Sequence, residues 1–478
     1  MTFNLTKRDV IWAYFAQFFQ IATGILVLPL VLKLLSSNEI ALNYLMLNIG
    51  MMVTLFDFGF SPQFTRSFSY IFSGAQELKK EGVYVTENNG SINYKLLKNT
   101  IATARLVYRY ISLFVLFIML SLGTLYIYIT TYKFTLVNNA LLIWIIYSFS
   151  VFFNIYYSYL NSILVGKGDI TGSRKCIVYS KIIYLLIAIV MLFLNFKLIS
   201  IVIANLIAPI VQRFLSYKYF YDKEIRNQFI NTFINKNDIR NVFESIWHNT
   251  KKMGFVTLGA FAINRSSMFF AGLFLSLNEV ASYGLMQQLV GSIGNISLTM
   301  FIIHQPKFAS YLVNNDKENL LKEFSFTMGF FYIAFLSLSI LLIFIGNPTL
   351  KIIKSNSVLP STTVMIFYCL ITLLEQNHSS FATIISLGNT IPFVKQSLIS
   401  GFAIIIGLYI SLSYFKTGIM GLVLVPGIVQ AAYNNWKWPM VVCKDFGVSN
   451  FAFIKMSLIE ILNYIKRILN GTYRFFKK

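Results

Sequence analysis

Charge is scarce in this chain. Asp, Glu, Lys and Arg make up 12% of its 478 residues, about half the share of an ordinary soluble domain. Hydrophobic residues make up 56%, more apolar surface than a water-facing fold can bury, so a soluble domain is excluded and the bilayer must act as solvent. Cysteine is nearly absent. Cys176, Cys369 and Cys443 stand far apart, which excludes a disulfide framework and a zinc site. The three histidines, His248, His304 and His378, are scattered, and no His pair or His-Glu cluster has the spacing that suggests a metal, so no metal and no other cofactor is expected. Gly166–Asp169 reads GKGD without P-loop spacing, and nothing points to a nucleotide-driven motor. Acidic residues are few enough to leave a net charge of +22. A nucleic-acid partner is one source of such a balance, and positive-inside loops are another.

What is present is a repeat. Leu35–Met51 reads LSSNEIALNYLMLNIGM and Leu275–Gly291 reads LSLNEVASYGLMQQLVG, a shift of 240 residues. In both copies a Ser-x-Asn-Glu break, Ser36 to Glu39 and Ser276 to Glu279, separates two long apolar runs. A shift near half the length predicts a doubled unit. Apolar runs long enough to cross about 30 Å of hydrocarbon fall at roughly 11–34, 41–64, 107–130, 138–163, 177–195, 199–219, 253–275, 281–303, 325–346, 360–386, 397–414 and 418–440. The expected fold class is therefore an all-α polytopic membrane protein. Its twelve transmembrane helices form two six-helix lobes related by a parallel internal repeat, because an even number per lobe keeps both the same way up. Lys7 and Arg8 precede the first run, which is too long for a signal peptide and reads as a retained helix.

The basic residues set the orientation. With the N-terminus in the cytoplasm, only Lys33, Lys133, Lys197, Lys351, Lys354 and Lys416 lie outside and Arg265 lies within a span; the rest of the 40 are cytoplasmic. Both termini are thus expected in the cytoplasm, and the excess charge belongs to loops rather than to a nucleic-acid surface. The expected domains are an N-terminal lobe at 1–220, a cytoplasmic linker at 221–251, a C-terminal lobe at 252–442 and a cytoplasmic tail at 443–478. The tail has the composition of an amphipathic helix suited to an anionic leaflet and its membrane lipids, or of a plain soluble helix. Asn89-Gly90, between strand-like runs, predicts a small cytoplasmic hairpin.

Ionisable groups inside spans carry the chemistry, since each costs about 2.5–3.5 kcal/mol at a helix centre unless it faces protein or water. Arg265, in FAINRSSMFF, offers a fixed cationic fork for phosphate oxygens, with Asn264, Ser266 and Ser267 adding donors. Alternatively it forms a structural ion pair with Asp57 or Glu375. Asp57 precedes Gly59 and Pro62, where a helix bends; it takes up a proton, pairs with Arg66, or caps the broken backbone, the last being favoured. Glu375 and His378, one turn apart, make either a proton or cation site or an interhelical hydrogen bond. Gln17, Gln20, Gln287 and Gln288 interrupt apolar runs as sugar-hydroxyl ligands or as glue between helices.

The stretch LFDFGFSPQFTRSFSYI is similar to the Asp-x-Gly-Phe-x-x-x-x-x-Arg segment of bacterial O-antigen and polysaccharide flippases, and NYKLLKNTIATARLVYRYIS resembles the segment that follows it in that family. With twelve spans in two lobes, nearly the whole chain resembles this branch of the multidrug/oligosaccharidyl-lipid/polysaccharide exporter superfamily. The resemblance implies a non-enzymatic flippase in the bacterial inner membrane. It would move an undecaprenyl-pyrophosphate-linked oligosaccharide, an O-antigen or related lipopolysaccharide unit, between leaflets beside a polysaccharide polymerase and a chain-length protein. In that family cationic residues line a central cavity, and Arg265 matches one by position, whereas the first span here lacks a mid-span basic residue. A cation-coupled multidrug antiporter of the same architecture is the alternative, with Asp57 or Glu375 as the ion site. A membrane glycan polymerase is disfavoured because the outer loops are short.

Overall fold

The computed structural model describes residues 7–78, 92–230, 232–313, 316–387 and 392–475. The expected hairpin at Asn89-Gly90 lies outside them. The described chain is helical, with no strand among the described residues. It divides into two compact units, Met1–Phe261 with Lys354–Asn356, and Ala262–Ile353 with Ser357–Lys478.

In the first unit α1 (Lys7–Leu34) is followed by α2 (Ser37–Val53), a short 3₁₀ turn (Thr54–Asp57) and α3 (Phe60–Phe72). Then come α4 (Tyr94–Ile118), a π turn (Met119–Gly123), α5 (Thr124–Thr130), α6 (Ala140–Lys167), α7 (Ile170–Phe193), α8 (Leu198–Phe220) and α9 (Lys223–Ile230). Next, α10 (Lys236–Phe274) contains the boundary between the units. In the second unit follow α11 (Leu277–Ser297), α12 (Thr299–Val313), α13 (Lys317–Ile352), α14 (Thr362–Leu387), α15 (Val394–Ser413), α16 (Gly418–Ala432), α17 (Asn434–Asp445) and α18 (Asn450–Phe475).

Eight of the described helical stretches are long and apolar enough to cross a membrane unaided, and the bent pair α11–α12 makes a ninth. The other three expected spans fall on α10, α14 and α16–α17, which are diluted by charge and carboxamides or split at Tyr433. Helices also outrun the apolar windows. The span expected at 107–130 begins at Tyr94, and the one expected at 253–275 begins at Lys236, because polar helical turns beyond the hydrocarbon leave no mark in hydropathy.

The repeat is visible in the backbone. At the start of α2, Glu39 Oε2 accepts from Ser36 N (2.8 Å) and Ser36 Oγ (2.9 Å), while Ser36 Oγ accepts from Glu39 N at 3.3 Å. At the start of α11 the same three bonds join Ser276 and Glu279 at 3.0, 2.7 and 3.4 Å. Each is a capping box, and it satisfies N–H groups that the first turn leaves without a helical partner. The helices that follow also break alike. Phe58 (φ 50°) and Gly59 (φ 86°) interrupt α2–α3, and a 48° bend separates α11 from α12 at Leu298, 240 residues after Phe58. Glu39→Ala or Glu279→Ala is expected to cost about 1 kcal/mol each. Melting of the purified protein in detergent checks this, and each double variant with its serine should lose little more than the single change.

Two packing devices matter below. Where the π turn displaces the helical ladder after α4, the buried Trp144 donates its Nε1 to Met119 O (3.2 Å) and Thr124 Oγ1 (3.1 Å). The segment expected as a linker is mostly helical, and Ile225, Val242 and Ile246 join the core of Phe60, Phe64, Phe68 and Tyr108 in the first unit. The tail helix α18 is amphipathic. Phe453, Ser457 and Ile461 are buried within the second unit, and Phe451, Ile454 and Leu462 are exposed.

Candidate functional site

In the second unit, Arg265 is partly buried on α10 and lies within electrostatic reach of the hydroxyls of Tyr283 and Tyr368. These two rings meet edge to face at 6.3 Å. Gln287 joins them: its Nε2 donates to Tyr283 Oη at 3.0 Å, and it also hydrogen-bonds Tyr368. Beside Arg265, Ser266 is buried, and Ser267 Oγ donates to Leu422 O of α16 at 3.0 Å. Arg265 and Gln287, separate expectations from the sequence, thus belong to one cluster. Asn264 lies on α10, but its side chain is outside the described residues. A guanidinium bordered by two phenols and a carboxamide presents a fixed set of donors, the chemistry that replaces water around an oxyanion.

A second polar cluster occupies the same unit. Glu375 Oε1 accepts from Gln430 Nε2 at 3.1 Å, Gln430 Oε1 accepts from Asn434 Nδ2 at 2.6 Å, and Asn434 Oδ1 accepts from Trp438 Nε1 at 3.0 Å. Asn434 Nδ2 also donates to Ser400 Oγ at 3.0 Å. His378 Nδ1 stands 3.6 Å from Glu375 Oε2, too far for a hydrogen bond. The chain of amides starts where α16 gives way to α17 at Tyr433 (φ −144°, ψ −60°). The carboxylate thus faces a break in the backbone rather than a continuous helix.

In the first unit Asp57 is bound into the break between α2 and α3. Its Oδ1 accepts from Tyr108 Oη at 2.6 Å and its Oδ2 from Ser61 N at 3.2 Å, which satisfies an N–H that the interrupted helix cannot. The ring of Phe58 lies so close to Gly254 on α10 that a Cβ there would meet Phe58 Cδ1 at 1.8 Å. Arg66 is exposed on α3 and makes no ion pair among the described residues. Gln17 and Gln20 are exposed on α1.

Sequence reasoning missed Tyr108, Tyr283, Tyr368, Gln430 and Asn434. The last two carried a signal, a Gln and an Asn four residues apart in the apolar run VPGIVQAAYNNW. The tyrosines carried none, being a few among 28 in the chain.

No protein-family model matches the chain, and no curated protein matches it. Solved structures do. A multidrug resistance MATE family transporter of the MOP superfamily, in an inward-facing conformation, aligns over 95% of both chains with TM-score 0.59 and 11% identity. The lipid II flippase MurJ in an inward closed conformation aligns over 97% of this chain and 92% of its own, with TM-score 0.62 and 15% identity. The MATE multidrug transporter DinF-BH aligns over 94% of this chain and 98% of its own, with TM-score 0.57 and 14% identity. The chain is a multi-pass membrane protein with the twelve-helix, two-lobe fold of the MOP superfamily transporters.

Proposed function

We propose that this protein is a flippase that carries an undecaprenyl-pyrophosphate-linked oligosaccharide, an O-antigen or related repeat unit, from the inner to the outer leaflet of a bacterial cytoplasmic membrane. The observation that carries this reading is the Arg265 cluster: a permanent cation on a span, bordered by Tyr283, Tyr368 and Gln287. A pyrophosphate head cannot cross hydrocarbon unaided. Arg265 would take its oxygens, and Asn264, Ser266 and Gln287 its remaining polar groups, while the polyprenyl tail stays in lipid. Alternating access would come from movement of the lobes about their breaks, with Asp57 and Arg66 at a gate. Glu375 and His378 would take up the coupling proton or cation. Both termini would lie in the cytoplasm, and a polymerase and a chain-length protein would act on the product outside.

The second reading is a cation-coupled multidrug antiporter, favoured by the Glu375–Gln430–Asn434 chain as an ion site. Arg265→Ala separates the two. Under the flippase reading, cells lose surface polysaccharide, accumulate lipid-linked intermediates on the inner leaflet and keep their drug tolerance; Arg265→Lys restores part of the export, since charge remains without the bidentate fork. Lost drug tolerance with normal polysaccharide overturns it in favour of the antiporter.

A further inference from the structure

The first unit holds a polar cavity that neither Arg265 nor Glu375 touches. It measures about 200 Å³ and is lined by Ser61 of α3, Asn154, Tyr157 and Asn161 of α6, and Gln212 and Arg213 of α8. Arg213 is held in place twice by one residue. Its Nη1 donates to Tyr157 Oη at 2.8 Å, and its guanidinium lies 4.5 Å from the Tyr157 ring centre. This arrangement spends one face and one donor of the fork and leaves the other donors for a ligand. Asn161 is fixed as well, its Oδ1 accepting from Ser173 Oγ at 2.6 Å, so its Nδ2 is the end left to donate. Asn154 and Gln212 contribute two more carboxamides.

We propose that this cavity binds one sugar ring carrying a negative charge, its carboxylate or phosphate on Arg213 and its hydroxyls on Asn154, Asn161 and Gln212. The volume suits a single ring, not a chain. Carboxamides donate and accept at once, which matches sugar hydroxyls, whereas a bare anion site needs donors only. An arginine that merely reached for the membrane surface would extend along α8 towards its end at Phe220. Arg213 is tied across to α6 instead. The choice of a sugar rests on the flippase reading; the cationic site itself does not.

The full chain in lipid nanodiscs, titrated separately with glucuronate, glucose 1-phosphate, glucose and inorganic phosphate and followed by saturation-transfer NMR, tests this. Glucuronate or glucose 1-phosphate, whichever anion the site prefers, should bind at least about tenfold more tightly than glucose. Arg213→Gln should remove that preference, and Asn154→Ala should weaken the anionic sugar without strengthening phosphate. Tyr157→Phe, which keeps the ring but frees the guanidinium, should weaken binding severalfold and stands in should Arg213→Gln not fold. Inorganic phosphate binding as well as the anionic sugar, no binding at all, or binding indifferent to Arg213 and Tyr157 overturns the proposal. Polysaccharide export in the Arg265→Ala strain is a separate readout, so the two readings fail independently.

Discussion

Trp144→Ala destabilises the first lobe by an amount at the low end of the ~3–5 kcal/mol typical of a buried Trp truncated to Ala. Trp144 is 0% exposed. Within a bundle bathed in lipid the water-transfer part of that loss is small, but the lost dispersion contacts and the cavity remain. The polar part is specific to this position. Beside the π turn at Met119–Gly123, Trp144 Nε1 donates to Met119 O and to Thr124 Oγ1, tying α6 to the irregular turn. The indole fits because position 123 is glycine, where a Cβ would meet Trp144 Cζ2 at 2.5 Å. Trp144→Phe retains most of the packing and removes the N–H, so it should lose about 1–2 kcal/mol. Unfolding in mixed micelles checks both, and equal losses for the two variants would show that the hydrogen bonds carry the effect rather than the volume.

Gly329→Leu detaches the tail helix. A Cβ on Gly329 of α13 would sit 2.1 Å from Ser457 O and 2.8 Å from Ser457 C of α18. A main-chain carbonyl cannot rotate aside as a side chain can, so the helices must separate. That separation uncovers Phe453, which packs on Phe324 and Phe381 at 5.0 Å from each. Trypsin should then release the tail at its lysines and arginines at least about tenfold faster, following the population of the opened form. Gly329→Ala should show the same effect more weakly, since its Cβ alone makes the clash. An unchanged cleavage rate would mean that α18 is not held by this contact. Loss of export in this variant would further tie the tail to transport.

Much of the architecture was legible before any coordinate. Scarce charge and long apolar runs required a bilayer, and the recurring Ser-x-Asn-Glu break falls on two helix starts capped by the same three bonds. Those features are local: a capping box needs four residues, and a span needs about twenty. Helix limits were less legible, since Tyr94–Leu106 and Lys236–Met253 are polar turns continuing past the apolar windows. The split at Tyr433 was equally hidden, because nothing in the sequence other than two asparagines marks the end of a helix there.

The candidate sites divide along the same line. Sequence alone singled out Arg265, Asp57, Glu375 and His378, because an ionisable group in an apolar run is conspicuous without knowledge of its neighbours. Only the tertiary structure decided what each one meets. Tyr108 comes to Asp57 from 51 residues away and Gln430 to Glu375 from 55, while Tyr157 holds Arg213 across 56. A side chain's chemistry is written in its own position, but its partner is fixed by which helix faces pack together, and hydrophobic periodicity in an all-round apolar helix does not say which face that is.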